Sequence, residues 1–432
     1  MKILLVQSFT SPEEPPIYPL GLACLKTVLK ENHEIYGLDI NVSTEDEYLN
    51  MLDKYKYDVI GFGIRNIKVA TIRKHANIVD EHHNLIRIAK RVQPDSVLIA
   101  GGMGFSLFAE PLMRIYNEID YGLFGSAEVT FPKLLQNLYK PQKVAGVYYR
   151  FNQTIKYSFN QTDDEKNKLV TPDRTIIPVE LYARFENAYG IQTRRGCILN
   201  CIHCSDKHLL GSNIFTRPVE DIVNELKDME KIGIKNVFFA DQIFNIPYEY
   251  TKSLLKSIIE NEIGIKWTAW FYEKNLDMDF FNLMKESGCK QAIFSPDSAD
   301  NKILNNLRKE ITSKDLKKTY MLAKKANLRV GYDFMLNAPG ETIFSLVKTI
   351  SFIIKAKLHL GKLLALHGLF IVTMRIYPNT ELQKISIEKE IIDKDDDLLE
   401  PKFYNPFPLS VFVNLILKIM ELLWLIKKLF KK

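Results

Sequence analysis

From Met1 to about Lys140, short apolar runs rich in β-branched residues alternate with helix-length amphipathic stretches. The runs are ILLV from Ile3, Glu34 to Ile40, Asp58 to Ile64, Ser96 to Gly102 and Tyr121 to Gly125. Strands covered on both faces read as continuous apolar segments, so the pattern predicts a doubly wound, five-strand parallel α/β unit of the Rossmann or flavodoxin type. Ligands of such sheets sit beyond the carboxyl ends of the strands. Gly61, Gly63, Gly101, Gly102, Gly104, Gly122 and Gly125 cluster there, where a missing Cβ lets a bulky ligand approach the backbone.

Ala145 to Tyr157 reads as a hairpin turning near Asn152, and DDEKNK from Asp163 as a solvated linker. A second series of strands follows at Tyr189–Thr193, Val237–Asp241, Ile265–Phe271, Gln291–Ser295, Arg329–Leu336 and Gly368–Ile376, with helices between. Six β/α repeats predict a partial barrel, with chemistry on the loops after the strands. The expected divisions are 1–144, a hairpin and linker at 145–185, a barrel at 186–385 and a segment at 386–432. In the last, Leu409 to Ile426 is mostly apolar, interrupted by Asn414, Lys418 and Glu421 roughly on one helical face. That predicts an amphipathic helix, either packed on the barrel or lying on a membrane surface with its lysines toward anionic lipid.

Charge sharpens this picture. The net charge is +6, of which Pro408 to Lys432 carries +4, so the remainder is nearly neutral and no nucleic-acid partner is expected. MKILLVQSF is too short an apolar run for a signal peptide and has no small-residue cleavage site. An odd count of 5 cysteines also argues against a disulfide framework. A cytoplasmic protein with reduced thiols is expected, peripheral to the membrane if the tail meets lipid.

Three of those cysteines, Cys197, Cys201 and Cys204, stand as C-x3-C-x2-C in TRRGCILNCIHCSD, directly after the first strand of the second series. Thiolates this close on one loop hold a soft ion or an iron-sulfur cluster, and Arg194 and Arg195 beside them would favour the thiolate forms. A structural zinc completed by His203 or His208 is the competing reading. Cys24 and Cys289 are isolated and read as buried small hydrophobes. Trp267 and Trp270 read as core residues, unless one walls a cavity.

The cysteine loop, with His203 at the aromatic-type position before the last cysteine, resembles that of the radical S-adenosylmethionine superfamily. The resemblance runs from Ile3 to Tyr404, through YPLGLACL, DVIGFGIRNI, GGMGFS, GLFGSAEV, FADQIFNIP, PGET and RIYPNTEL, to the branch with an amino-terminal cobalamin-binding domain. It implies a [4Fe-4S] cluster on Cys197, Cys201 and Cys204, whose fourth iron is chelated by S-adenosylmethionine and drives its cleavage to a 5′-deoxyadenosyl radical. His203, Asp241, Ser295 and Asp297 would then face the S-adenosylmethionine. Strand-end carboxylates and a turn at Pro296 are the plainer roles for the last three. Arg217 and Lys309 are either partners of the nucleoside carboxylate or solvated bases.

The same resemblance places cobalamin near Arg65, Asn66, Gly101, Gly102, Gly104, Gly125 and Ser126. The D-x-H-x-x-G motif is missing, and no histidine stands between Gln7 and Gly21. His33, His75, His82 and His83 read as surface residues, so cobalt is expected without a histidine beneath it. The frequent Gly-Glu-x-Glu turn of the family is here Gly125-Ser126-Ala127-Glu128.

The implied activity is methylation of an unactivated carbon of a small-molecule or lipid substrate, through methylcobalamin and a substrate radical. The electron donor would be a flavodoxin or ferredoxin. A cobalamin-dependent rearrangement, ring contraction or oxidative cyclisation is the other enzymatic reading, and a zinc- or cobalamin-binding regulatory module the non-enzymatic one. LLEPKFYNPF from Leu398 is a candidate for closing the cavity with Tyr404.

Overall fold

The computed structural model describes residues 1–10, 14–67, 78–159 and 169–429. His75, the DDEKNK run and the terminal Lys431 and Lys432 lie outside the described residues. The chain divides into two compact units: Met1–Ile198 with Ser205–Asp241 and Asp397–Glu400, and Leu199–Cys204 with Gln242–Asp396 and Pro401–Lys432.

In the first unit the five expected strands are β1 (Lys2–Gln7), β2 (Glu34–Asp39), β3 (Val59–Gly63), β4 (Val97–Gly101) and β5 (Tyr121–Leu123). They run parallel in the order β2-β1-β3-β4-β5. The hairpin corrects the expectation of a separate linker. β6 (Val147–Phe151) and β7 (Thr154–Ser158) extend the same sheet, β6 pairing antiparallel with β5 through Gly122 and Tyr148. Its tight turn uses Asn152 and Gln153, both at positive φ.

This unit also holds β8 (Gly190–Ile191), a short antiparallel pair β9 (Arg194–Arg195) and β10 (Phe215–Thr216), and β11 (Asn236–Phe239), which lies parallel to β8. The compact unit therefore continues past residue 185, taking in the strands on either side of the cysteine loop.

The second unit contains β12 (Lys266–Phe271), β13 (Cys289–Asp297), β14 (Val330–Leu336) and β15 (Leu364–Arg375), parallel neighbours in that order. All six expected strands of the second series are thus present. β16 (Phe403–Tyr404) adds an antiparallel edge through Met374 and Tyr404, with Tyr404 fully buried. The tail forms helix Leu409–Leu429. Leu409 and Val413 pack with Leu336 of β14 and Leu346 of helix Ile343–Leu360, while Asn414 and Lys418 face outward.

Cys24 and Cys289 are buried as expected, and burial pushes the Cys24 thiol up to about 12. Trp267 is a core residue whose indole donates to the Ser287 carbonyl at 2.8 Å, whereas Trp270 is 41% exposed.

Candidate active site

β9 leads into Gly196 and then the cysteine loop. Gly196 has φ +97°, and a Cβ there would lie 1.9 Å from the Asn213 carbonyl oxygen. Only glycine fits this close crossing. The Cys197 amide then donates to the Gly211 carbonyl at 3.3 Å, and the Cys204 amide to Cys201 at 3.3 Å. None of the three thiols is in a disulfide; Cys197 and Cys201 are half-buried and Cys204 is exposed.

The strand ahead of the loop is held by Asp241, in the plainer strand-end role. One carboxylate oxygen accepts from the Thr193 and Arg194 amides at 2.7 and 3.1 Å. The other accepts from the Thr193 hydroxyl at 2.6 Å and lies 3.4 Å from the Arg194 guanidinium. A carboxylate has about four acceptor sites, so this buried group is spent on the chain itself rather than open to an amino group. Burial raises its pKa, which Arg194 opposes.

Arg194 and Arg195 are likewise engaged away from the cysteines. Arg195 donates to Glu128 at 2.6 Å and to Gln192 at 3.0 Å. Glu128, from the GSAE turn, therefore serves as the buried counter-ion of the residue two positions before Cys197. Arg217 is not solvated either: Glu225 binds Arg217 at 2.6 Å and Arg174 at 2.7 Å, all within the first unit's interior.

In the second unit Asp297 ends β13 with φ +66°. Its carboxylate lies 2.8 Å from the Lys309 ammonium and 3.5 Å from His203 Nε2. Lys309 is buried, which removes the solvated-base reading of it. Burial works against its charge, but Asp297, Cys201 and Glu273 outweigh it and hold its pKa above the ordinary lysine value.

Ser295 donates to Asp333 of β14 at 2.9 Å, and burial pushes that carboxyl up to about 6. Glu273, two residues past β12, was not singled out in the sequence. It is 3% exposed, and burial pushes it up to about 7 against the pull of Lys309. The rule that drew attention to Ser295, polar residues just after a barrel strand, would have found it.

Of the candidate fourth zinc ligands, His203 meets Asp297 through Nε2 at 3.5 Å and keeps a buried Nδ1 without a hydrogen-bond partner, and His208 packs edge-on against Phe124 at 5.5 Å between ring centres. Three unbridged thiols on one loop are the ligand set of a cluster with one iron free of protein ligands.

At the carboxyl ends of β1, β3 and β4, Arg65 and Gly102 are exposed and Asn66 is half-buried, an open rim that suits a large planar ligand. The glycines there also serve the chain. Gly102, at φ +100°, has its Cβ direction 2.7 Å from the Ile64 carbonyl oxygen, and the Gly104 amide donates to that oxygen at 3.0 Å. Gly101 makes only ordinary contact with Leu123 in its Cβ direction. The Gly125 amide donates to Ser106, whose hydroxyl donates to Gly102, tying the turns after β4 and β5 together. Ser126 begins helix Ala127–Leu135.

His82 corrects the expectation of a surface role. It is fully buried, bonded to Ser8 through Nδ1 at 2.5 Å and to the Asn66 carbonyl through Nε2 at 2.8 Å, so it pins the Arg65–Asn66 loop to β1. Burial pushes its pKa from 6.5 to about 4. Below pH 6.5 the unfolded chain binds a proton that the folded site refuses. The contribution is therefore complete above pH 6.5 and lost as pH falls to 4, amounting to about 3 kcal/mol. In urea unfolding, stability lost between pH 7 and pH 4.5 is expected to be smaller in His82→Gln; an equal loss would remove this role.

The profile of the Radical SAM superfamily matches residues 191–353, and that of the B12 binding domain residues 14–135. The chain joins a B12 binding domain to a Radical SAM domain, the pairing of cobalamin-dependent radical S-adenosylmethionine enzymes. An uncharacterized methyltransferase of Pyrococcus horikoshii is 26% identical over 368 residues, covering 82% of this chain and 77% of that one. The hopanoid C-3 methylase of Methylococcus capsulatus is 24% identical, covering 68% of this chain and 56% of its own length.

The methyltransferase TsrM from Kitasatospora setae, solved with tryptophan and an S-adenosylmethionine analogue, shares the fold. Its TM-score is 0.78 at 20% identity, over 90% of this chain and 76% of that one. Its two matched domains make the protein a radical S-adenosylmethionine enzyme whose cofactors are a [4Fe-4S] cluster, S-adenosylmethionine and cobalamin.

Proposed function

We propose that the enzyme methylates an unactivated carbon of a small-molecule or lipid substrate. The observation that carries this reading is a loop of three unbridged thiols within a segment that matches the Radical SAM superfamily, in one chain with a B12 binding domain. When bound, the cofactors supply an electron that splits one S-adenosylmethionine to a hydrogen-abstracting nucleoside radical, and a corrinoid that carries methyl from a second.

The protein's part is placement and exclusion of water. Cys197, Cys201 and Cys204 hold the cluster, and Lys309 offsets the negative charge at Cys201. His203, Ser295 and Asp297 are the positions proposed to face the nucleoside, with Asp297 oriented by Lys309. Asp241 is proposed to act by fixing Thr193 and Arg194 at the entry to the loop. Arg65, Asn66, Gly101, Gly102, Gly104, Gly125 and Ser126 line the proposed corrinoid face, its rim held by His82.

A reduced flavodoxin or ferredoxin is the proposed electron source. A lipid substrate is supported by the likeness to a hopanoid methylase and by the apolar tail, and with it go a cytoplasmic location and peripheral membrane contact.

The test is anaerobic incubation of reconstituted enzyme and cell extract with deuterated-methyl S-adenosylmethionine. S-adenosylhomocysteine and 5′-deoxyadenosine are expected together with a labelled product. 5′-Deoxyadenosine without S-adenosylhomocysteine would replace methylation by a rearrangement or cyclisation.

A further inference from the structure

Helix Ile343–Leu360 is apolar on two sides. Its inner face is buried through Leu346, Ala356 and Leu360. At about 100° per residue, Ile343, Phe344, Val347, Ile354 and Leu358 fall on a second stripe roughly 100° wide, and all five are exposed, Phe344 by 82% and Leu358 by 80%. Exposed Lys348 and Lys355 border one side of that stripe and Lys357 the other.

The tail helix packed beside it repeats the arrangement. Leu409 and Val413 are buried while Val411, Phe412, Leu415 and Ile419 are exposed on the far side, with Lys418 at the margin. A helix that is apolar all round is normally covered all round, and a cluster of exposed apolar side chains marks an interaction surface.

Charge identifies what covers this one. Residues 343–362 and 409–432 hold nine lysines and one acid, Glu421, a net charge of +8 in a chain whose total is +6. The rest of the protein is therefore net negative; helix Ser313–Ala326 is lysine-rich as well, but the two helices and the residues just after them join their lysines to exposed apolar stripes. Apolar side chains flanked by lysines along the side of a helix are the pattern of a helix lying in the lipid interface. Among the described residues no helix is long and apolar enough to cross a membrane.

We propose that helices Ile343–Leu360 and Leu409–Leu429 together form a docking surface for an anionic lipid bilayer, with the stripes from Ile343 to Leu358 and Val411 to Ile419 entering the interface. This deepens the peripheral-contact part of the function proposed above by adding the Ile343 helix, which has no place in the reading of the tail alone. Lipid binding is measured without turnover, so either idea can fail while the other stands.

The test is co-sedimentation of the full-length protein with phosphatidylcholine vesicles prepared with and without phosphatidylglycerol. Binding is expected to the anionic vesicles, to weaken as salt screens the lysines, and to fall at least tenfold in Phe344→Ser/Leu358→Ser. Those side chains are exposed, so circular dichroism and melting of this variant should match the parent protein. If the variant misfolds, the lipid and salt dependence of the unaltered protein decides. Equal binding to neutral vesicles, or no binding to either, would overturn the proposal. So would vesicle binding unaffected in a folded variant, or a dimer in sedimentation velocity that dissolves on substitution while no vesicle is bound.

Discussion

Cys201→Ala, purified and reconstituted without air, is expected to release 5′-deoxyadenosine from S-adenosylmethionine at less than about a thousandth of the parent rate. The three cysteines are the only ones in the chain close in sequence, and the other two, Cys24 and Cys289, are buried elsewhere. No spare thiol stands on the loop to replace the lost ligand. A cluster short of one ligand sheds iron, and with it the site where the nucleoside is held and reduced. Folding should survive, because Cys201 is only half-buried and contributes no large apolar side chain. High-pressure liquid chromatography of the quenched reaction reads the product, and circular dichroism verifies the fold. A folded Cys201→Ala protein of parental cleavage rate would remove the cluster from this loop.

Lys309→Met is expected to destabilise the enzyme by about 3–5 kcal/mol, because it strands Asp297 as an uncompensated buried charge. Asp297 and Lys309 are both buried with charged groups 2.8 Å apart, and Glu273 adds a second acidic neighbour. The double variant Asp297→Asn/Lys309→Met removes both charges and should lose less than the sum of its single changes. Denaturant unfolding of the four proteins measures this coupling. Additive losses would mean that Asp297 and Lys309 are not paired in solution.

The same substitutions bear on what could be read from the chain alone. Strand positions were legible because they obey local rules: β-branched runs, glycine at strand ends and a helix-length spacing between them. The cysteine loop was legible because its ligands are contiguous. What escaped was pairing across distance. Arg195 is neutralised by Glu128, 67 residues earlier, and His82 bonds Ser8, 74 residues away. Seen singly, Arg195 looks like a base that serves the cysteines beside it, and His82 like a helix-surface histidine.

The β6–β7 hairpin was legible as a hairpin, but its pairing with β5 depends on where Gly122 meets Tyr148. The Ile343 helix carries two apolar faces. Which of its two apolar faces the protein covers is set by packing against Leu336, Leu409 and Val413, not by the period.

The central claim is that Cys197, Cys201 and Cys204 hold a cubane with one iron open to S-adenosylmethionine. The most direct measurement is iron and sulfide analysis, with electron paramagnetic resonance, of protein reconstituted and reduced without air. About four irons and four sulfides per chain are expected, as three thiolates completing a [4Fe-4S] cluster require. A reduced-cluster signal that shifts when S-adenosylmethionine is added is expected with them. A colourless, iron-free protein carrying one zinc on the loop would contradict it.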